Sequence, residues 1–221
     1  VMRTLVVGDI HGCGLELEQL ITEAAPTQII LVGDLFDRAK HGYLVWQIIQ
    51  KWGTDIYCLR GNHEQKMLKY LKNERNDLPR HYHWFLEDIA NKGVKLNDLR
   101  GFLDELPTIL VCSTSVDHNE SHISEVIKPT KYQLTLGDVI ISHAGIDVNW
   151  PLNPDESFTV YGDVRRELKW WDKYKGNNLV LYGHLSEVDC KPRVRSILKE
   201  NLDPAQVSGY LINSIGLDTA C

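Results

Sequence analysis

Leu5-Val6-Val7-Gly8-Asp9-Ile10-His11-Gly12 opens a series that continues with Ile29-Ile30-Leu31-Val32-Gly33-Asp34-Leu35-Phe36-Asp37-Arg38 and Ile56-Tyr57-Cys58-Leu59-Arg60-Gly61-Asn62-His63-Glu64. Each stretch starts with an apolar run of strand length and ends on glycine beside Asp, Asn or His. Between them the apolar spacing is helical. Leu15, Leu17, Leu20 and Ile21 leave Glu16, Glu18 and Gln19 mostly outward, and Leu44, Val45, Ile48 and Ile49 repeat the pattern before Gly53. The alternation predicts an α/β layered fold with buried strands.

Outward from this core the character changes. From Glu64 to about Leu106 the chain is charged and aromatic (Tyr70, Tyr82, Trp84, Phe85, Phe102), lacks strand runs and stops at Pro107. That predicts a helical insert of two or three helices over residues 64–106, after the third strand. The second half is strand-rich, with runs at 108–112, 132–136, 139–142, 179–182, 194–198 and 210–212. Turn signals at Leu136-Gly137-Asp138 and Gly176-Asn177-Asn178 punctuate them. Residues 113–131 read as a solvated loop or hairpin. No repeat or linker divides the chain, so residues 1–221 read as one domain.

The 221 residues carry 24 Lys+Arg against 30 Asp+Glu, a net charge of −6, with 43% hydrophobic and 24% charged residues. That composition excludes a disordered chain. No apolar run reaches the roughly 18 residues of a membrane span, and no signal peptide is expected. The acidic balance speaks against nucleic acid or an anionic membrane as partner. Phosphate-bearing substrates remain open, because bound metal ions can supply positive charge. The five cysteines (13, 58, 112, 190, 221) are scattered and form no CxxC pair, which points to a reducing, cytoplasmic location.

The chemistry sits where strands end. Two later runs also close on histidine, Ser142-His143-Ala144-Gly145 and Tyr182-Gly183-His184. Ligands bind outside the carboxyl ends of strands in open α/β sheets. Carboxylate, imidazole and amide donors without thiolate suit a divalent ion such as Mn, Fe or Zn. Asp34 is the natural bridge between two ions, with Asp9 and His11 on one side and Asn62, His143 and His184 on the other. Such a pair activates a shared water and clamps a phosphoryl oxygen. His63 follows a ligand directly and reads as the general acid, with Asp37 holding its other nitrogen. Arg38 can fork two donors onto phosphate. Taken singly, an Asp or Asn after a strand is usually a turn former or helix cap; it is the five motifs in order that argue for chemistry.

Together, Asp9-Ile10-His11-Gly12, Gly33 to Arg38, Gly61-Asn62-His63-Glu64, His143-Ala144-Gly145 and Gly183-His184 resemble the signatures of calcineurin-like metallophosphoesterases. Within that group they resemble the phosphoprotein phosphatase branch, including small bacterial and phage members and diadenosine tetraphosphate hydrolases. The resemblance implies a four-layer β-sandwich flanked by helices rather than a doubly wound sheet. It implies the same metal ligands and acid, two metal ions (manganese first; iron, zinc or nickel also fitting), and Asn62 among the phosphate-binding groups. It adds a second phosphate-binding arginine, Arg165 in Val164-Arg165-Arg166-Glu167-Leu168, with Arg166 as fallback.

The activity implied is phosphomonoester hydrolysis, foremost as a Ser/Thr phosphoprotein phosphatase. The alternative is a dinucleoside polyphosphate hydrolase acting on a phosphorylated small molecule. A catalytically silent binding module would require a missing ligand, and none is missing. An aromatic and basic pocket near residues 65–131 would favour the nucleotide and an open groove the peptide; Lys66, Lys69, Lys72, Arg75 and Arg80 supply the positive charge. Three departures bear on substrate preference: Ala39-Lys40 after the Asp-Arg pair where glycine is usual, Leu185-Ser186 after Gly183-His184, and a chain that stops soon after Leu217-Asp218-Thr219. His81-Tyr82-His83 reads as a solvated helical face and Glu64 as a helix cap; Trp84, Phe85, Trp150, Trp170 and Trp171 read first as core or rim packing, with stacking on a nucleotide base as the alternative.

Overall fold

The computed structural model describes residues 3–112, 123–124, 139–146, 156–161, 170–174, 178–184, 193–198 and 210–217. The chain divides into two compact units, Val1–Thr108 and Ile109–Cys221.

The first unit alternates as expected: β1 (Thr4–Val7), α1 (Gly14–Ala24), β2 (Gln28–Leu31), α2 (Gly42–Trp52) and β3 (Ile56–Cys58), then α3 (Asn62–Leu71), α4 (Arg80–Asn91) and α5 (Leu96–Glu105). The three strands form a parallel sheet in the order β1-β2-β3, with Val7 opposite Leu31 and Leu31 opposite Cys58. This register sets the turns after all three strands on one sheet edge. Ile29, Ile30, Leu31 and Val32 are fully buried, as continuous apolar runs in parallel sheets require.

The predicted helical insert is present as three helices. In α4 the buried residues are Tyr82, Phe85, Leu86 and Ile89, one face at i, i+3, i+4 and i+7. Each such side chain contributes about 1.5–3 kcal/mol when fully buried. Phe85 stacks on Phe36 at 4.7 Å between centroids, and Trp46 meets Phe102 edge-on at 5.3 Å. The second turn and the insert thereby share one core.

The second unit holds β4 (Ile109–Cys112), β5 (Ile123–Ser124), β6 (Val139–Ser142), α6 (Glu156–Tyr161), α7 (Trp170–Lys173), β7 (Leu179–Tyr182), β8 (Arg193–Leu198) and β9 (Tyr210–Gly216). Its sheet runs β5-β4-β6-β7-β9-β8 and is mixed. β6 and β7 are parallel, with Ser142 opposite Tyr182, so the residues that follow both strands share an edge. β5 pairs antiparallel with β4, placing a short strand within the stretch expected as loop or hairpin. The expected strand at 132–136 lies outside the described residues. Among the described residues, no helix is long and apolar enough to cross a membrane.

Candidate metal centre

In the first unit the turns after β1 and β2 are stitched by backbone. His11 N donates to Asp34 O at 2.7 Å, Gly12 N to Leu35 O at 2.9 Å, and Ala39 N back to His11 O at 2.8 Å. Gly12 has φ +75°, and a Cβ there would press on the carbonyls of Ala39 and Phe36 at 2.8 and 2.9 Å. Only glycine admits this approach without strain.

The third turn is locked to the second by α3. Glu64, at the third position of α3, accepts from Gly61 N at 3.0 Å, as in a capping box. It also accepts from Asp34 N at 2.7 Å and Leu35 N at 2.8 Å. The cap expected of Glu64 is therefore also a clamp on the Asp34 turn. Burial pushes its carboxyl up to about 7, while these N–H donors pull it down. In return, His63 N donates to Asp34 Oδ1 at 3.0 Å. Gly61 is required there, since a Cβ would meet the Asp34 backbone N at 2.5 Å.

These turns gather the residues expected to act. His11 Nε2 lies 3.6 Å from Asp34 Oδ2 and 3.9 Å from Asp9 Oδ2. Burial, then the charges of Glu64 and Asp9, raise the Asp34 carboxyl well above its ordinary value. Buried carboxylates crowded in this way call for a cation. Asn62 Oδ1 is buried and has no hydrogen-bond partner among the described residues. A buried amide oxygen without a partner at the head of α3 can accept a hydrogen bond or serve as a ligand to a cation. Hard oxygen and imidazole donors of this kind fit a divalent metal ion.

Asp37 is buried and holds two imidazoles at once. His63 Nδ1 lies 2.6 Å from its Oδ2 and His11 Nδ1 3.3 Å from its Oδ1. Burial alone would raise this carboxyl, but the two histidine hydrogen bonds outweigh it and hold Asp37 below the usual carboxylate range. An ionised carboxylate only accepts, so both Nδ1 atoms carry the proton and both Nε2 atoms are left for other partners. For His11 this carboxylate fixes the ring with Nε2 turned toward Asp34 and Asp9. His63 Nε2 lies 3.4 Å from Arg38 Nη2. Burial lowers the His63 pKa below its usual value, although Asp37 opposes the shift.

Two residues were missed by sequence reasoning. His81 Nε2 approaches Asp37 Oδ2 at 3.1 Å, its side chain 31% exposed. Tyr82 is buried and stacks on His63, 5.3 Å between centroids and 24° between planes. The expected solvated face at 81–83 is thus corrected: α4 turns both rings onto the Asp37–His63 pair. Nothing local signals this, because it depends on where α4 lands.

In the second unit, the parallel register of β6 and β7 brings His143 and His184 together, with Nε2 and Nδ1 3.2 Å apart. Gly183 N donates to His143 O at 2.8 Å. His143 is fully buried. Arg165 and Arg166 lie outside the described residues. Positive φ among described non-glycine residues falls at His11, Asp34, Arg38 and His184, besides Ala25 and Asn73. Backbone strain of this kind concentrates where side chains must be aimed.

The turns of the first unit and the imidazole pair of the second each offer donors suited to a divalent metal ion. The chain belongs to the calcineurin-like phosphoesterase family, whose sequence model matches residues 2–201. Among curated relatives, it is 25% identical to the asymmetrical bis(5'-nucleosyl)-tetraphosphatase PrpE of Oceanobacillus iheyensis, across 87% of this chain and 80% of that protein. It is also 25% identical to the PrpE of Bacillus mycoides, across 83% of this chain and 78% of that protein. A solved structure provisionally identified as a diadenosine tetraphosphatase matches with a TM-score of 0.61 at 21% identity, covering 100% of this chain and 84% of that one. A serine/threonine phosphatase from Saccharomyces cerevisiae matches with a TM-score of 0.56 at 13% identity, covering 99% and 67%. The fold is that of the metallophosphoesterases, and the protein is a hydrolase of phosphoesters.

Proposed function

We propose that this chain hydrolyses dinucleoside polyphosphates, cutting a phosphoanhydride at a pair of divalent ions, manganese first among them, in the cytoplasm. The observation that carries the chemistry is the buried Asp37–His63 pair, 2.6 Å apart, beside the His11–Asp34 turn. What favours the dinucleotide over a phosphoprotein is kinship. The PrpE relatives extend over most of the chain, whereas the likeness to a protein phosphatase is one of fold. The phosphoprotein reading, foremost from sequence, thereby becomes the second. Among the cations expected to greet a nucleotide, Lys72 is paired with Asp104 and Arg75 with Asp77.

In this reading residues 1–221 are a single metallophosphoesterase domain, as a family match spanning residues 2–201 supports. Asp9, His11 and Asp34 would hold one ion, and Asp34, Asn62, His143 and His184 the other. When bound, the ions would acidify a shared water and neutralise charge on the phosphoryl oxygens. Arg38, with Arg165 as its counterpart, would bind phosphate oxygens through paired donors, Asn62 standing beside them. Arg38 would leave His63 Nε2 for the phosphate, freeing that nitrogen to hold a proton. Asp37 would fix the ring so that Nε2 delivers the proton to the leaving oxygen. Attack and departure would occur in line, without a phosphoenzyme.

The test is hydrolysis by Mn²⁺-reloaded protein of diadenosine tetraphosphate and a phosphothreonine peptide side by side, with Asp34→Asn as blank. Preference for the dinucleotide is expected. Preference for the peptide would restore the phosphatase reading, and cleavage of neither above the blank would remove the catalytic one.

A further inference from the structure

Beside the metal turns, Ala39, Lys40, Gly42, Trp84, Phe85 and Asp88 line a recess of about 270 Å³. Its floor is Phe85, buried and stacked on Phe36. Its rim is Trp84, 52% exposed and the one aromatic among the large apolar side chains left exposed in the described residues. Tryptophan is buried on average, so a half-exposed ring at the mouth of a recess marks a contact surface. Arg80, one turn earlier on α4, lies over the Trp84 ring at 5.5 Å and steadies it.

The recess adjoins the proposed phosphate-binding turn along the chain. Ala39 N donates to the carbonyls of His11 and Asp37 at 2.8 and 3.0 Å, so the wall begins one residue after Arg38. Lys40 stands next along the chain and brings a second cation to the wall of the recess. The same recess is lined by an aromatic ring, an aromatic floor and one carboxylate, Asp88. The recess is smaller than the roughly 300–1,000 Å³ of pockets that enclose a whole ligand. It suits one flat ring system at the end of a longer substrate.

We propose that this recess is a nucleobase subsite. Trp84 stacks on the base, Lys40 takes phosphate between the base and Arg38, and Asp88 accepts from an exocyclic amine, which favours adenine, cytosine or guanine over uracil. The inference rests on the dinucleotide reading and names the part of the molecule that recognises the nucleoside. It also gives the Ala39-Lys40 departure a role.

The test is calorimetric titration of the Mn²⁺-loaded protein with AMP and with ribose 5-phosphate, which differ only in the base. Wild type should bind AMP about tenfold more tightly or better, the worth of one stacked base. The ratio should fall to near one in Trp84→Ala and be largely kept in Trp84→Phe, with unchanged melting temperatures showing that both variants fold. Equal binding of the two ligands by wild type, or an AMP preference that survives Trp84→Ala, would overturn the subsite. Failure to cleave diadenosine tetraphosphate would strike the dinucleotide reading separately, because the binding ratio does not depend on turnover.

Discussion

Asp37 is the residue on which the first unit's chemistry converges. Its carboxylate meets His11, His63 and His81, and its place was legible in the sequence as the partner of His63, though not as the partner of three rings. His63 itself carries a pH signature. Burial holds its pKa below the ordinary 6.5, so on acidification the unfolded chain takes up the proton first. The stability this ring contributes is therefore intact above about 6.5 and is lost as pH falls through the lower folded value. In the metal-free protein, urea midpoints should drop between pH 7 and 5 more in wild type than in His63→Gln. Equal drops would mean that the ring titrates as it does in water.

At the scale of elements, the strands and their turns were readable because their signals are local. An apolar run followed by glycine and a ligand residue is complete within a few positions. The parallel registers then do the assembly: Val7, Leu31 and Cys58 on one edge, Ser142 and Tyr182 on another. The face of α4 was equally readable from its spacing, and its contacts were not. Tyr82 and His81 lie against Asp37 and His63 because Phe85 docks on Phe36, a pairing between residues 36 and 85 that no window of sequence displays. Phe85→Ala should cost about 3–5 kcal/mol of unfolding free energy by urea denaturation, as deletion of a buried aromatic does. A loss below about 1 kcal/mol would mean that α4 is anchored by something other than this stack.

For the whole molecule, five short motifs in one order carried the family, and the family match over residues 2–201 bears that out. Substrate was less legible, since it depends on surfaces around the centre rather than on the ligands within it. The central claim is that the residues at the strand ends hold two divalent ions. Metal content per chain after chelation and reloading with Mn²⁺ measures this directly. Two ions are expected in wild type, with one ion and no hydrolysis in His143→Ala. A single ion in wild type, or full activity in His143→Ala, would contradict the account.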